Sequence, residues 1–161
     1  MSAELLADLL VDLQGTATRL QAALTASPEA LARAYAPGKW TARQVLLHIV
    51  DVESVFHDRL KRGLADAKPL YWAIEPDRWT ARLAYPERSL AITGQLFLAQ
   101  RAAVVELLGS IKPEEWDRAG IHSEYGRLTV RDLAGRVVLH AAHHLNQAEA
   151  AIAGRTWTPG A

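Results

Sequence analysis

The chain has 161 residues, half of them hydrophobic, and its 18 basic and 18 acidic residues cancel. This length and apolar content exclude a disordered chain and predict one domain over residues 1–161, while the balanced charge argues against nucleic acid as a partner. The absence of cysteine excludes disulfides, cysteine-bound zinc and a cysteine nucleophile.

The first predicted helix runs from about residue 2 to residue 25, with leucines recurring at spacings of three and four. A short helical turn is indicated at Ser27-Pro28-Glu29, where a serine cap precedes a proline. The N-terminus carries acids instead of the basic start of a signal peptide, and no window approaches the roughly 20 apolar residues of a membrane span. We therefore expect a soluble, cytoplasmic protein with no membrane partner.

The second long helix has a clear start, because Thr41 and Gln44 form a capping box. His48 falls within its apolar stripe, which otherwise consists of Val45, Ile49, Val52, Phe56 and Leu60. Gly63 marks its expected end. The connection from Gly63 to Pro86 holds four of the chain's eleven aromatic residues, and a loop of this length is either functional or packed by its own side chains.

A third helix is predicted over roughly residues 87 to 108, with Gly109 as its stop. The fourth opens with a capping-box-like start at Thr129 and Asp132 and runs to Gly154. Its inward arc contains Leu133, Val137, His140, His144, Ala148 and Ala151, with Gln147 at the edge. No stretch alternates like a strand. Four long amphipathic helices predict an all-α four-helix bundle with a long crossover loop between helices 2 and 3.

Three of the six histidines fall on inward arcs, whereas His57 and His122 are expected at the surface. His140 and His144 are four apart on one helix, so both imidazoles can approach one point, and His48 can join them from the second helix. Buried histidines with ordinary hydrogen-bond partners are the alternative. A shared cation would satisfy one nitrogen of each ring at once. We predict that these three bind one divalent metal, with water completing the shell.

Other kinds of metal site fit less well. Ala141 stands where HExxH proteases carry their glutamate, and the Glu-x-x-His pairs of di-iron bundles are missing. A two-histidine, one-carboxylate iron site would need Asp51, at the flank of the stripe one turn from His48. His143 lies about 100° around the helix from His144, so we predict that it is not a ligand but lies at the pocket edge or in a dimer contact.

Four polar residues are candidates for supporting a ligand or contacting substrate: Asp51, Arg59, His143 and Gln147. Gln147 could hydrogen-bond a ligand or the substrate, or lie on the helix surface. Asp51 could orient His48 or be solvated. Arg59 could meet a carboxylate of a bound cofactor or pair with an acid on a neighbouring helix. No residue is assigned a catalytic role of its own.

Three motifs occur in order along the chain: Pro37-Gly-Lys-Trp-Thr leading to His48, His122-Ser-Glu-Tyr-Gly, and His140-x2-His-His-x2-Gln147. Over nearly the whole chain they resemble the DinB/YfiT-like superfamily. The resemblance implies an up-down-down-up bundle, usually a homodimer, whose three histidines hold zinc or nickel, with iron or manganese as further candidates. Members with known chemistry are S-transferases or isomerases that use bacillithiol, mycothiol or glutathione, and many others are named as metal-dependent hydrolases.

Two functions remain open at this point. One is a metal-dependent enzyme acting on a small molecule, either a hydrolase or a transferase that takes its thiol from a low-molecular-weight cofactor. The other is a non-catalytic metal-binding dimer in the stress response. Apolar residues around much of the first and third helices predict a homodimer, unless a loop covers them: Leu5, Leu6, Leu9, Leu10, Val11, Leu13, Ile92, Leu96, Leu98 and Val105.

Overall fold

The structure is a computed structural model that describes residues 2–158. Its helices are α1 (Ala3–Leu24), α2 (Pro28–Leu31), α3 (Ala42–Ala65), α4 (Pro76–Arg82), α5 (Leu90–Ser110) and α6 (Val130–Ile152). Its strands are β1 (Leu70–Tyr71), β2 (Ala119–His122) and β3 (Gly126–Thr129). The four long helices α1, α3, α5 and α6 are the four that the periodicity predicts. Both α1 and α3 pack against α5 and α6, and apolar side chains from all four form the core.

The predicted capped starts of the second and fourth long helices, α3 and α6, are confirmed. Thr41 and Thr129 each cap a helix through a complete capping box, with Gln44 and Asp132 as the reciprocal partners. The third long helix begins at Leu90 instead of residue 87, because the hydroxyl of Ser89 accepts from the backbone of Ile92 and caps it there.

Gly63 does not end the second long helix, which continues to Ala65. A Cβ at this position would lie 2.8 Å from the hydroxyl oxygen of Tyr71 and 3.1 Å from a methyl carbon of Val130. The glycine therefore allows β1 and the start of α6 to approach α3 closely. Gly109 likewise lies inside α5, which ends one residue later.

The expectation of a purely helical chain is wrong, because a small sheet with the order β1-β2-β3 accompanies the bundle. β2 and β3 form an antiparallel hairpin, and β1 pairs in parallel with β2, so that Tyr71 lies opposite His122. Strands of two to four residues are too short to show alternation in a sequence. The connection between α3 and α5 is ordered by this sheet, by α4 and by the buried side chains of Tyr71 and Tyr85.

A buried ion pair crosses the bundle. Arg101 on α5 donates two hydrogen bonds of 2.8 Å to the carboxylate of Glu53 on α3, and further bonds to Leu13 and Thr16 on α1. Contrary to the expectation from sequence, α5 is long and apolar enough to cross a membrane by length and composition. Its buried face contacts α1 and α3 and carries Arg101 of this ion pair, so it packs as a helix of the bundle.

Candidate metal centre

The three histidines predicted to bind metal lie together between α3 and α6. Their nearest ring nitrogens are all within 4.8 Å of one another, and Nε2 of His48 is 3.2 Å from Nε2 of His140. The ring of His144 completes the group, with its centroid 4.8 Å from that of His48 and 4.5 Å from that of His140. Because His140 and His144 are one turn apart on α6, the helix itself places both rings beside His48.

The donor set fits a divalent transition metal. Zinc–nitrogen bonds of about 2.0–2.1 Å at a tetrahedral angle place two ligand nitrogens roughly 3.3–3.4 Å apart. The distance of 3.2 Å between the Nε2 atoms of His48 and His140 is close to this separation. Three imidazoles also match the nitrogen ligands that zinc, nickel and iron accept, and they leave coordination positions free.

The environment keeps the three imidazoles neutral, which is the form that binds metal. Burial lowers the pKa of His48 to about 4, with a further decrease from the neighbouring His144, while Asp51 acts in the opposite direction. Burial and the adjacent histidines lower the pKa of His140 to about 2. Burial also lowers the pKa of His144 to about 4, although its hydrogen bond to Gln147 partly offsets the effect. At neutral pH the cluster therefore presents lone pairs without competing protons.

Gln147 connects two histidines of α6 and is buried, with 5% of its surface exposed. Its Oε1 accepts a hydrogen bond of 2.7 Å from Nδ1 of His144, and its Nε2 donates to Nε2 of His143 at 3.2 Å. Since an amide oxygen can only accept, the proton of His144 resides on Nδ1 and its Nε2 keeps a free lone pair. Gln147 is therefore not a surface residue, and it supports His144 in the way that metal ligands are commonly oriented.

Asp51 and His143 are not part of the three-histidine cluster, although His143 lines the same cavity, as predicted. The carboxylate of Asp51 accepts from the hydroxyl of Tyr85 at 2.9 Å and from Arg88 at 2.7 Å, so it neither joins the cluster nor lies free in solvent. Nδ1 of His48 is buried without a hydrogen-bond partner among the described residues. His143 is exposed and packs edge-on against Trp157, with ring centroids 4.9 Å apart.

The histidines open into a cavity of about 1330 Å³. The connection between α3 and α5 contributes Ala73, Ile74 and Pro76 to its wall. The β2–β3 hairpin and α6 form other parts, among them Glu124, Tyr125, Leu128, Arg136 and Leu139. A small molecule could therefore reach the three nitrogens through space shaped by the long connection.

Two residues of this cavity differ from their sequence-based interpretation. His122 is buried instead of exposed, because its Nδ1 accepts hydrogen bonds from the backbone N–H groups of Glu124 and Tyr125 in the hairpin turn. Arg59 lines the cavity and donates to the carbonyl of Trp72, and no acid among the described residues forms an ion pair with it. In the sequence, the only signal for a role of His122 is its place in the motif His122-Ser-Glu-Tyr-Gly. Its burial depends on the pairing of β1 with β2, which places Tyr71 opposite His122.

A family model and two named proteins match this chain over most of its length. The family model for the DinB superfamily matches residues 12–148. Two proteins of Oceanobacillus iheyensis, both named "Putative metal-dependent hydrolase", are similar in sequence. One is 25% identical over 80% of this chain and 73% of its own length. The other is 27% identical over 73% of this chain and 67% of its own length.

Two solved structures share the fold. YfiT from Bacillus subtilis, described as "a probable metal-dependent hydrolase with an unusual four-helix bundle topology", matches with a TM-score of 0.87 and 20% identity over 97% of this chain and 91% of its own. The four-helix bundle protein TT2238 matches with a TM-score of 0.64 and 25% identity, over 90% of this chain and 98% of its own. The four-helix bundle predicted from the sequence is thereby confirmed.

Proposed function

The chain belongs to the DinB superfamily, and we propose that it is a metal-dependent enzyme in which His48, His140 and His144 hold one divalent cation. The observation that carries this proposal is the convergence of three neutral imidazoles in the wall of a large cavity. Zinc and nickel suit the three nitrogens best, and iron and manganese are further candidates.

A divalent ion at this position would lower the pKa of a water or a thiol that reaches it and so supply a nucleophile at neutral pH. Residues of the protein orient the ligands and line the cavity. Gln147 holds the proton of His144 on Nδ1 and thereby directs Nε2 toward the cluster. The buried side chains of Val52, Phe56 and Leu128 line the same cavity and lower its polarity, which strengthens electrostatic interactions inside it.

The reaction that we propose is hydrolysis or thiol transfer on a small molecule. Hydrolysis is supported by the names of the relatives from Oceanobacillus iheyensis. A transferase would need an external low-molecular-weight thiol such as bacillithiol, mycothiol or glutathione, because the chain has no cysteine. In both cases the cavity, and not a side-chain nucleophile, would determine which molecules react.

The sequence offers two residues that could act as a fourth protein ligand, Asp51 and His143. Their positions favour an enzyme over a purely structural metal site. Asp51 is engaged by Tyr85 and Arg88, and His143 is engaged by Gln147. Neither belongs to the cluster of three, so a bound cation would keep coordination positions for water or substrate. A closed site with four protein ligands is the mark of structural zinc.

We also propose the up-down-down-up order of the four long helices, within one domain over residues 1–161. The contacts that support antiparallel α3 and α6 are those of Gly63, near the end of α3, with Val130 at the start of α6. The contacts that support parallel α3 and α5 are the hydrogen bonds from Arg88 to Asp51 and from Gln100 to Ser54.

A cytoplasmic homodimer is the assembly that we propose. Large apolar side chains on α1 and α5 are exposed, namely those of Leu5, Val11, Ile92, Leu96 and Leu98. Pairing two copies through these faces would remove apolar area from water. Sedimentation at micromolar concentration tests this. We expect a species of twice the chain mass, and a single species at the monomer mass of 17.7 kDa would refute the dimer.

The central experiment is metal analysis of the purified protein, followed by activity screens with the loaded protein. One screen offers ester and amide substrates, and the other offers electrophiles together with each of the three thiols. His140→Ala should lose both metal and activity. Activity that persists in His140→Ala after removal of metal would contradict the proposal, as would a parent protein that binds none of the four metals.

A further inference from the structure

The cavity wall beyond the histidines carries six charged side chains, those of Arg59, Glu124, Arg127, Arg131, Asp132 and Arg136. Three of them are engaged outside the cavity. Arg127 and Arg131 donate to Asp117, the first to its carbonyl at 3.4 Å and the second to its carboxylate at 3.1 Å. Asp132 accepts from Thr129 in the cap of α6. Of the other three, Arg136 and Glu124 have no side-chain hydrogen bond among the described residues, and Arg59 donates only to the carbonyl of Trp72.

Arg59 on α3 and Arg136 on α6 line the same cavity, and the charge of one acts on the other. Burial lowers the pKa of the Arg59 guanidinium, and the positive charge of Arg136 lowers it further. Neither forms an ion pair with an acid among residues 2–158, and the nearby Glu124 is exposed. Arg59 lies 5.7 Å from the ring centre of Phe56, and Arg136 lies 4.5 Å from that of Tyr125. The aromatic rings hold both guanidinium groups beside the cavity. One N–H group of Arg59 donates to the carbonyl of Trp72, and its other N–H groups and those of Arg136 remain available.

His122 supplies a third donor to the same region. Because its Nδ1 accepts from two backbone N–H groups, the proton of the neutral ring resides on Nε2. Burial lowers the pKa of His122, and the charge of Arg59 lowers it further, so the ring stays neutral and keeps this one N–H group. The hairpin thus fixes the direction of this donor, next to two guanidinium groups that form no ion pair with an acid among the described residues.

We propose that Arg59, Arg136 and His122 form an oxyanion subsite that binds a carboxylate or phosphate group of the substrate. Guanidinium groups recognise both kinds of oxyanion through paired N–H donors. Arg136 precedes His140 by one turn of α6, a rise of about 5.4–6 Å along the axis. A molecule that occupies both places would therefore carry its negative group a few bonds from the atom that reacts. This link to the reacting atom rests on the proposed function, whereas anion binding does not.

The test uses metal-free protein, so that an anion cannot bind through a metal. Phenyl phosphate, benzoate and the neutral benzamide are titrated and followed by NMR shifts of the protein. One or both anions should bind, benzamide should not, and the stronger anion identifies the group. Arg59→Gln and Arg136→Gln should each weaken binding about ten-fold, the usual scale for a charged hydrogen bond. Arg131→Gln is the matched control, because that arginine already pairs with Asp117, and it should leave binding unchanged.

The two proposals can fail separately. His140→Ala should lose zinc and keep anion binding, whereas Arg59→Gln should keep zinc and lose anion binding. Glu124→Gln should strengthen anion binding, because it removes one of the two carboxylates in the cavity wall. Absence of anion binding to the folded parent would overturn the subsite, and so would equal affinity for benzamide or an equal loss in Arg131→Gln. Circular dichroism of each variant confirms that the fold is retained.

Discussion

Replacing Gln147 tests whether the buried amide supports the metal site. Gln147→Leu keeps the approximate size of the side chain but removes the acceptor 2.7 Å from Nδ1 of His144. The N–H group of that ring then loses its partner in a buried place, which costs about 1–3 kcal/mol. The proton can also move to Nε2, which blocks the nitrogen that we propose as the metal ligand. Both effects weaken zinc binding, and we expect a loss of about 10–100-fold, the range seen for residues that orient a ligand.

The assay is competition for zinc between the protein and a chromophoric chelator at neutral pH. Gln100→Leu is the matched control, because Gln100 also hydrogen-bonds a side chain, that of Ser54, but lies on α5 away from the histidines. Gln147→Glu separates the two roles of the amide, since a carboxylate still accepts from His144 but cannot donate to His143. We expect it to retain zinc. Equal zinc affinity in Gln147→Leu, Gln100→Leu and the parent would refute the reasoning.

Three further predictions concern the site and its support. His144→Ala should lose bound metal and His143→Ala should retain it, as measured by metal analysis, and the reverse result would show that the wrong histidine was chosen. In metal-free protein the ordinary pKa of His48 is 6.5 and the folded value is about 4, so the unfolded chain binds the proton first as the pH falls. Stability should therefore decline between about pH 6.5 and pH 4, by about 3 kcal/mol from His48 alone, in urea unfolding, and the decline should be smaller in His48→Gln. Arg101→Met leaves the carboxylate of Glu53 buried without its partner and should lower the free energy of unfolding by about 3–5 kcal/mol, whereas the double change with Glu53→Leu should recover part of it. No recovery in the double variant would indicate that the loss comes from packing instead.

The sequence by itself determined the four long helices, the capped starts of α3 and α6, and the inward direction of the three histidines. These properties are local. A capping box is complete within four residues, as at Thr41 and Thr129, and the period of 3.6 residues fixes which side chains share a face. His140 and His144 were therefore adjacent by necessity once α6 formed.

The tertiary structure decided the features that depend on contacts between distant parts of the chain. The approach of His48 to His140 joins residues 92 positions apart, and the burial of His122 requires a hairpin turn beside a strand from another segment. Gly63 has the sequence signature of a helix stop, but in the structure it lets Tyr71 and Val130 pack closely against α3. Arg59 and Arg136 line one cavity only when α3 and α6 pack together. Local periodicity contains no information on such pairings, because they are selected by the free energy of burying the whole core.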